Sequence, residues 1–359
     1  MIRMNKSSIG AKEMFNVNKF LLKKSDSNDI NYIDKFELEF TELIKSKFSI
    51  AVNSGTSALH LSLLALGIGP GDEVIIPVFS FAATANCVLL TGAKIVFADI
   101  DPKTYNIDTA SLETKITRRT KAIIPVHLYG LPADMVTIMK IARKYKIFIV
   151  EDAAQAHGAE LNGVKVGSFG ATGAFSFYYT KNISTFEGGM ITTSNSKTLN
   201  LIKLLRNQGM AKTYFNVLPG YNNRLTQLQA LIGTIQLSKL AKSNMQRRKN
   251  ASLYDQELKG VLKPFVPNGY NHVYNQYTIQ VIDLDRNKFQ RELLKFGIET
   301  KVYYPLSLNK LPYLKSKLNF NHAEICSSRV LSLPIRPNLK NSELERVIKA
   351  VNKIAEYGA

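Results

Sequence analysis

Between residues 49 and 195 short apolar runs alternate with longer amphipathic stretches, and this alternation restricts the fold more than any other feature of the sequence. Val74-Ile75-Ile76, Ile95-Val96-Phe97, Ile123-Ile124-Pro125-Val126 and Phe148-Ile149-Val150 are short, rich in branched or aromatic residues, and bounded by turn residues, as buried strands are. Between them lie stretches such as Met135, Ile138, Met139 and Ala142, spaced so that one helical face is apolar. Strands separated by helices predict an α/β fold: a mostly parallel sheet covered by helices on both faces. Ligands of such sheets sit at the carboxyl ends of the strands, so the polar residues that follow each run carry the functional information. Asp152 follows IFIVE; Ser176 and Lys181 lie within and after GAFSFY; Asn53-Ser54-Gly55-Thr56-Ser57 follows FSIAV and opens the apolar helix ALHLSLLAL.

A chain of 359 residues is long for one core and short for three, which predicts a large and a smaller domain. Leu228, Leu231, Ile232 and Ile235 mark a helix that runs into the charged stretch SNMQRRKN, and the domain boundary is expected there, giving 1–244, with the N-terminal segment, and 245–359. In the second part YTIQVIDL reads as a strand, NKFQRELLKFG as a helix and TKVYYP as a second strand. The final helix is expected to begin at Ser342, because Ser342-x-x-Glu345 has the form of a capping box. This describes a small α+β domain.

Several function classes are disfavoured. No low-complexity tract interrupts a chain that is 45% apolar and 21% charged. The N-terminus lacks a signal-peptide core and no window is apolar enough to span a bilayer, so a cytoplasmic protein without membrane insertion is expected. Cys87 and Cys326 stand far apart, without the spacing of a zinc site or disulfide framework, and read as core residues. A net charge of +19 favours anionic partners, yet the tightest basic cluster, Arg247-Arg248-Lys249, is not interleaved with aromatics, and no nucleic-acid partner is expected.

Three local signals carry chemistry. Ser-Gly-Thr-Ser at a helix start offers backbone N–H groups, hydroxyls and the positive end of a helix dipole to a phosphate, although an ordinary N-cap uses the same residues. GIGPGD (67–72) comes after a helix and before a strand, the reverse of a dinucleotide fingerprint, and reads as a turn. Asp152 at a strand end suits a proton on a ring nitrogen, or a helix cap. Lys181 beside Tyr178 and Tyr179 suits a partly desolvated, nucleophilic amine, although most lysines are surface charges. Pyridoxal 5′-phosphate needs an amine, an anion nest and a carboxylate, and so explains all three signals at once.

The motifs NSGTSALHLSLLALGIGPGDEVIIP, PVHLYGLPADM, VEDAAQAHGA, FSFYYTKNISTFEGG and GYNNRLTQLQALIG, in this order, resemble the DegT/DnrJ/EryC1/StrS family of sugar aminotransferases, from about residue 36 to the end, including SLPIRP near the C-terminus. The resemblance implies a fold-type I aminotransferase with a mainly parallel, seven-stranded type of sheet flanked by helices, a smaller C-terminal domain, and a homodimer with shared active sites. It implies that Lys181 is the Schiff-base lysine, that Asp152 partners the pyridine nitrogen, and that Gln155 bonds the cofactor's phenolic oxygen. Gly55, Thr56 and Ser176 match phosphate-binding positions, Phe81 the aromatic that stacks on the ring, and Asn222 the asparagine that reaches the neighbouring subunit's phosphate. The implied substrates are L-glutamate and a nucleotide-linked keto deoxysugar aminated at C3 or C4.

His127 and His157 lie in motifs but receive no catalytic step. Two departures, Tyr303 where histidine often precedes Tyr-Pro and Phe186 where many relatives have glycine, bear on sugar recognition. A cyclitol or other keto acceptor without a nucleotide, or a sensor that binds without turnover, remain alternatives at this level.

Overall fold

The computed structural model describes residues 1–5, 9–22, 30–314, 316 and 318–357. Helices α1 (Ala11–Leu22) and α2 (Tyr32–Ile44) precede β1 (Phe48–Val52), α3 (Gly55–Ala65), β2 (Glu73–Pro77), α4 (Ala82–Leu89), β3 (Lys94–Ala98), α5 (Thr109–Thr114), β4 (Thr120–Ile123), α6 (Met135–Tyr145) and β5 (Phe148–Asp152). Short strands β6 (Glu160–Leu161) and β7 (Val164–Lys165) lead to β8 (Thr172–Ser176), β9 (Gly189–Thr193) and α7 (Ser196–Arg206). A hairpin of β10 (Met210–Lys212) and β11 (Phe215–Asn216) precedes the long α8 (Gln227–Glu257). The C-terminal part contributes β12 (Tyr270–Asn271), β13 (Tyr277–Gln280), α9 (Arg286–Lys295), α10 (Asn321–Arg329), β14 (Val330–Leu333) and α11 (Asn341–Tyr357).

The central sheet has seven strands in the order β1-β9-β8-β5-β4-β2-β3. Only β9 runs against its neighbours, pairing antiparallel with both β1 and β8, while β8-β5-β4-β2-β3 are parallel. Val74, Ile75 and Ile76 of β2 and Val150 of β5 are fully buried, which is why the apolar runs are continuous rather than alternating. On one side α2 and α8 close the sheet through Phe36, Phe40, Phe175 and Phe177. Gly233 of α8 permits this: a Cβ there would lie 2.7 Å from the Phe36 ring.

Three expectations need correction. Helix α8 does not end near the charged stretch but continues unbroken through it, so position 244/245 falls inside a helix whose Asn244, Arg247, Asn250 and Tyr254 are buried. TKVYYP is not a strand: only Lys301 bridges Ser332, and the true partner of β13 is β14, paired antiparallel from Tyr277↔Leu333 to Gln280↔Val330. The regular part of the run at 123–126 ends with β4 at Ile123, although Val126 still bridges Asp152.

The end assignments differ as well. The last helix starts at Asn341, and its first turn is held by the Glu343 carboxylate accepting from Lys340 N–H at 2.9 Å, not by Ser342 and Glu345. Residues at the start of the chain, expected with the large domain, pack on the C-terminal core: Ile2 bridges Ile298 and lies among Tyr254, Phe289 and Val351. GIGPGD is a turn, with Gly67 and Gly71 at positive φ. Both cysteines are buried and free.

Candidate active site

A cavity of about 560 Å³ opens at the carboxyl ends of β1, β2, β5 and β8. Ser54, Gly55, Thr56, Ser80, Phe81, Thr84, Asp152, Gln155, Ser176 and Lys181 line it from the large sheet, and Gln276, Tyr303 and Tyr304 from the C-terminal part. Seven of the eight residues singled out in the sequence therefore meet in one place: Gly55, Thr56, Phe81, Asp152, Gln155, Ser176 and Lys181.

The anion cradle follows from helix-end chemistry. Ser54 caps α3 in an extended conformation, its Oγ accepting from Ser57 N–H at 3.0 Å. The amides of Gly55 and Thr56 belong to the first turn and have no intrahelical acceptor. Gly55 packs so closely on β8 that a Cβ would come within 2.7 Å of Ser176 Cβ, and this contact brings the helix start and the Ser176 hydroxyl together. Ser176 Oγ accepts from Tyr178 N–H at 3.3 Å, so its own proton remains available to an anion.

Asp152 is buried, 5% exposed, at the end of β5. Burial raises its pKa; hydrogen bonds from Thr84 and the Ala154 amide, and the charges of Lys181 and His127, oppose the rise. A buried carboxylate facing a cavity needs a positive partner, and a protonated ring nitrogen supplies one. Gln155 is oriented by its neighbours: its Oε1 accepts from Tyr129 N–H at 2.8 Å and its Nε2 donates to Tyr304 Oη at 3.1 Å. With two protons on Nε2, one remains to donate to a phenolate oxygen.

Lys181 follows β8 in the loop toward β9. Desolvation lowers its pKa to about 8, against the opposing pull of Asp152. The amine is thus substantially neutral at mildly alkaline pH, as a nucleophile must be.

Phe81, 58% exposed, lines the cavity with its ring 6.0 Å from that of Tyr304. Asn222 is the residue not brought into the cavity: it is exposed, and its carbonyl accepts from Asn53 Nδ2 at 3.4 Å. His127 and His157 stand behind the site. His127 Nε2 lies 3.1 Å from the Glu151 carboxylate, and its Nδ1 accepts from Ala133 N–H. His157 is buried against Phe175 and Phe177, and burial pushes its pKa down to about 3.

Among the described residues, Lys181 is the sole Lys or Arg lining the cavity, so the excess positive charge lies elsewhere. No described helix is long and apolar enough to cross a membrane, and no described cluster of His, Cys, Asp and Glu could hold a metal. Sequence reasoning missed Thr84, Ser80, Tyr304 and Gln276. A lone threonine or glutamine has no signature, and Tyr304 was hidden in a segment taken for a strand.

An amine, a buried carboxylate, an oriented amide and an anion cradle in one cavity fit pyridoxal phosphate. The sequence profile of the DegT/DnrJ/EryC1/StrS aminotransferase family matches residues 7–352. The chain belongs to this family. It is 42% identical to a UDP-N-acetyl-3-dehydro-α-D-glucosamine 3-aminotransferase of Acidithiobacillus ferrooxidans, over 88% of this chain and 87% of that protein. It is 40% identical to a GDP-perosamine synthase of Caulobacter vibrioides, over 90% of each. The crystal structure of NtdA from Bacillus subtilis with bound cofactor PMP superposes with a TM-score of 0.90 at 30% identity, covering 99% of this chain and 87% of that one. The chain is a pyridoxal phosphate-dependent sugar aminotransferase with the mostly parallel sheet of that family.

Proposed function

We propose that the chain transfers the amino group of L-glutamate to the C3 or C4 keto group of a nucleotide-linked deoxysugar, in the cytoplasm, for synthesis of an amino sugar. The observation that carries this reading is the convergence of Lys181, Asp152, Gln155 and the Gly55–Thr56–Ser176 cradle in one cavity. The relatives named for UDP- and GDP-linked substrates support the nucleotide-sugar class.

In this reading the Gly55 and Thr56 amides and the Ser176 hydroxyl hold the cofactor's phosphate, with Phe81 against its ring. Asp152 keeps the ring nitrogen protonated by charge-assisted hydrogen bonding, and Gln155 donates to the phenolic oxygen. When bound, pyridoxal phosphate supplies an aldehyde for amine exchange and a ring that accepts the electron pair of the donor's α-carbon. Lys181 would hold the aldehyde in the resting enzyme, and once released its Nζ would move the proton from the donor's α-carbon to the cofactor's C4′ and, in the second half-reaction, from C4′ to the acceptor sugar's carbon. Tyr178, Tyr179, Tyr303 and Glu187 also line the cavity and would face the sugar.

A homodimer belongs to the same proposal. Asn222 is exposed and outside its own chain's cavity, which suits a residue that reaches a second copy's phosphate. Division into 1–244 and 245–359 is retained as a proposal in which α8 is shared, since an apolar cluster of Ala251, Tyr277, Phe289, Leu331 and Val347 forms a second core.

The test incubates holoprotein with L-glutamate and a panel of keto sugars, free and nucleotide-linked, with mass detection of the amine. Amination confined to nucleotide-linked acceptors supports the reading. Amination of free acceptors only, or cofactor binding without turnover, would replace it with the cyclitol or the sensor alternative.

A further inference from the structure

Behind Asp152 lies a pair of hydroxyls that the mechanism above leaves unused. Thr84, fully buried in the first turns of α4, places Oγ1 2.8 Å from Asp152 Oδ2, and Ser80 Oγ lies 2.8 Å from Thr84 Oγ1. The other carboxylate oxygen, Oδ1, accepts from Ala154 N–H at 3.2 Å. An ionised carboxylate only accepts, so the Thr84 proton points at Asp152, and the Thr84 oxygen then takes the proton of Ser80. The chain is directional: Ser80 donates to Thr84, and Thr84 to Asp152. Thr84 is the third residue of α4, so no helical turn precedes it to take its hydroxyl. Thr84 bonds instead to a residue 68 positions away, at the end of β5.

We propose that Thr84, seconded by Ser80, is a positioning residue that keeps the Asp152 carboxylate ionised and turned toward the ring nitrogen of the bound cofactor. This rests on the role assigned to Asp152 above. The need arises from the surroundings. Lys181, His127, Cys87 and Tyr304 are the titratable groups close enough to interact with Asp152. Burial pushes the Cys87 thiol and the Tyr304 phenol up, so neither is charged at neutral pH, and the Lys181 amine is committed to the reaction. Beside the charges of Lys181, His127 and the ring nitrogen, the Thr84 hydroxyl is the largest of the influences that hold the Asp152 carboxyl down, and a hydroxyl bonded to a buried carboxylate is among the stronger neutral donors. Without it the carboxylate binds its proton more tightly, the shared proton moves from ring nitrogen to oxygen, and the ring withdraws electrons less well.

The experiment compares Thr84→Val, which keeps the shape and removes the hydroxyl, with Thr84→Ser, which keeps the hydroxyl and removes a methyl, in holoenzyme loaded with ¹⁵N-labelled cofactor. The readouts are the ¹⁵N shift of the ring nitrogen and kcat with L-glutamate. T84V is expected to move the resonance toward the unprotonated position and lower kcat roughly 10- to 100-fold, T84S to restore both, and Ser80→Ala to give a smaller change in the same direction. A wild-type resonance in T84V, or equal losses in T84V and T84S, would overturn the proposal, since the second outcome reports packing alone. Asp152→Asn is the control: if it leaves the resonance unchanged, the role of Asp152 itself falls, whereas an effect in D152N without one in T84V removes only the relay.

Discussion

The inner and outer halves of the cavity are built differently. At the inner end, Asp152, Gln155 and Thr84 are held by hydrogen bonds to neighbours and to backbone amides, and the walls come from strand ends and helix starts of the large sheet, with Tyr304 of the C-terminal part bonded to Gln155. At the outer end, Tyr178, Tyr179 and Glu187 are more than a third exposed, and Tyr303 arrives from the C-terminal part. The inner half suits a step that tolerates little displacement. The outer half can change side chains without disturbing the sheet, so acceptor choice is expected to be set there. The contrast also locates the departures noted in the sequence: Tyr303 lines the cavity, and Phe186 is exposed beside the lining residue Glu187 without lining the cavity itself.

Substitutions should respect that division. Lys181→Ala removes the amine and is expected to lower transamination by at least about 10⁴-fold, with the loss measured in glutamate-driven turnover. Asp152→Asn is expected to cost about 100-fold in kcat while the protein remains folded by circular dichroism. Gly55→Ala forces a Cβ against Ser176 and should weaken cofactor affinity about tenfold, read by equilibrium dialysis of reconstituted apoprotein. Wild-type affinity in G55A would show that the cradle tolerates separation.

Protonation sharpens the same point. Because the Lys181 pKa is lowered to about 8, the neutral amine grows as pH rises through that value, and the rate at which apoprotein captures pyridoxal phosphate should climb with a midpoint near it. A midpoint near the ordinary lysine value would mean that desolvation does not act on this side chain. The smallest effect is expected outside. Tyr303→His and Phe186→Gly should shift acceptor kcat/KM by about tenfold between sugars while glutamate-driven conversion of the cofactor stays within about twofold. Equal losses in both half-reactions would erase the division between the halves.

Much of the inner half was legible because its chemistry is local. Gly55 and Thr56 follow an apolar run and open a helix, Asp152 ends another run, and Lys181 stands just past a third, so strand ends and helix starts were enough to place them. The outer half was not. Period-two apolarity in TKVYYP imitates a strand, but these residues leave the small sheet after Lys301 and carry Tyr303 and Tyr304 into the cavity. The second half of α8 leaves no apolar signature because its buried face turns from Leu231 and Ile235 to Asn244, Arg247 and Asn250, and polar residues bonded in the interior give no hydrophobic period. Thr84 was invisible for a related reason: its partner is remote in sequence, and only the fold brings them together.

Cofactor attachment at Lys181, in the loop after β8, is the central claim. Borohydride reduction of holoprotein, followed by proteolysis and mass mapping, tests this directly. The reduced cofactor is expected on the peptide containing Lys181 and on no other; an adduct at a different lysine, or none in protein shown to contain cofactor, would contradict it.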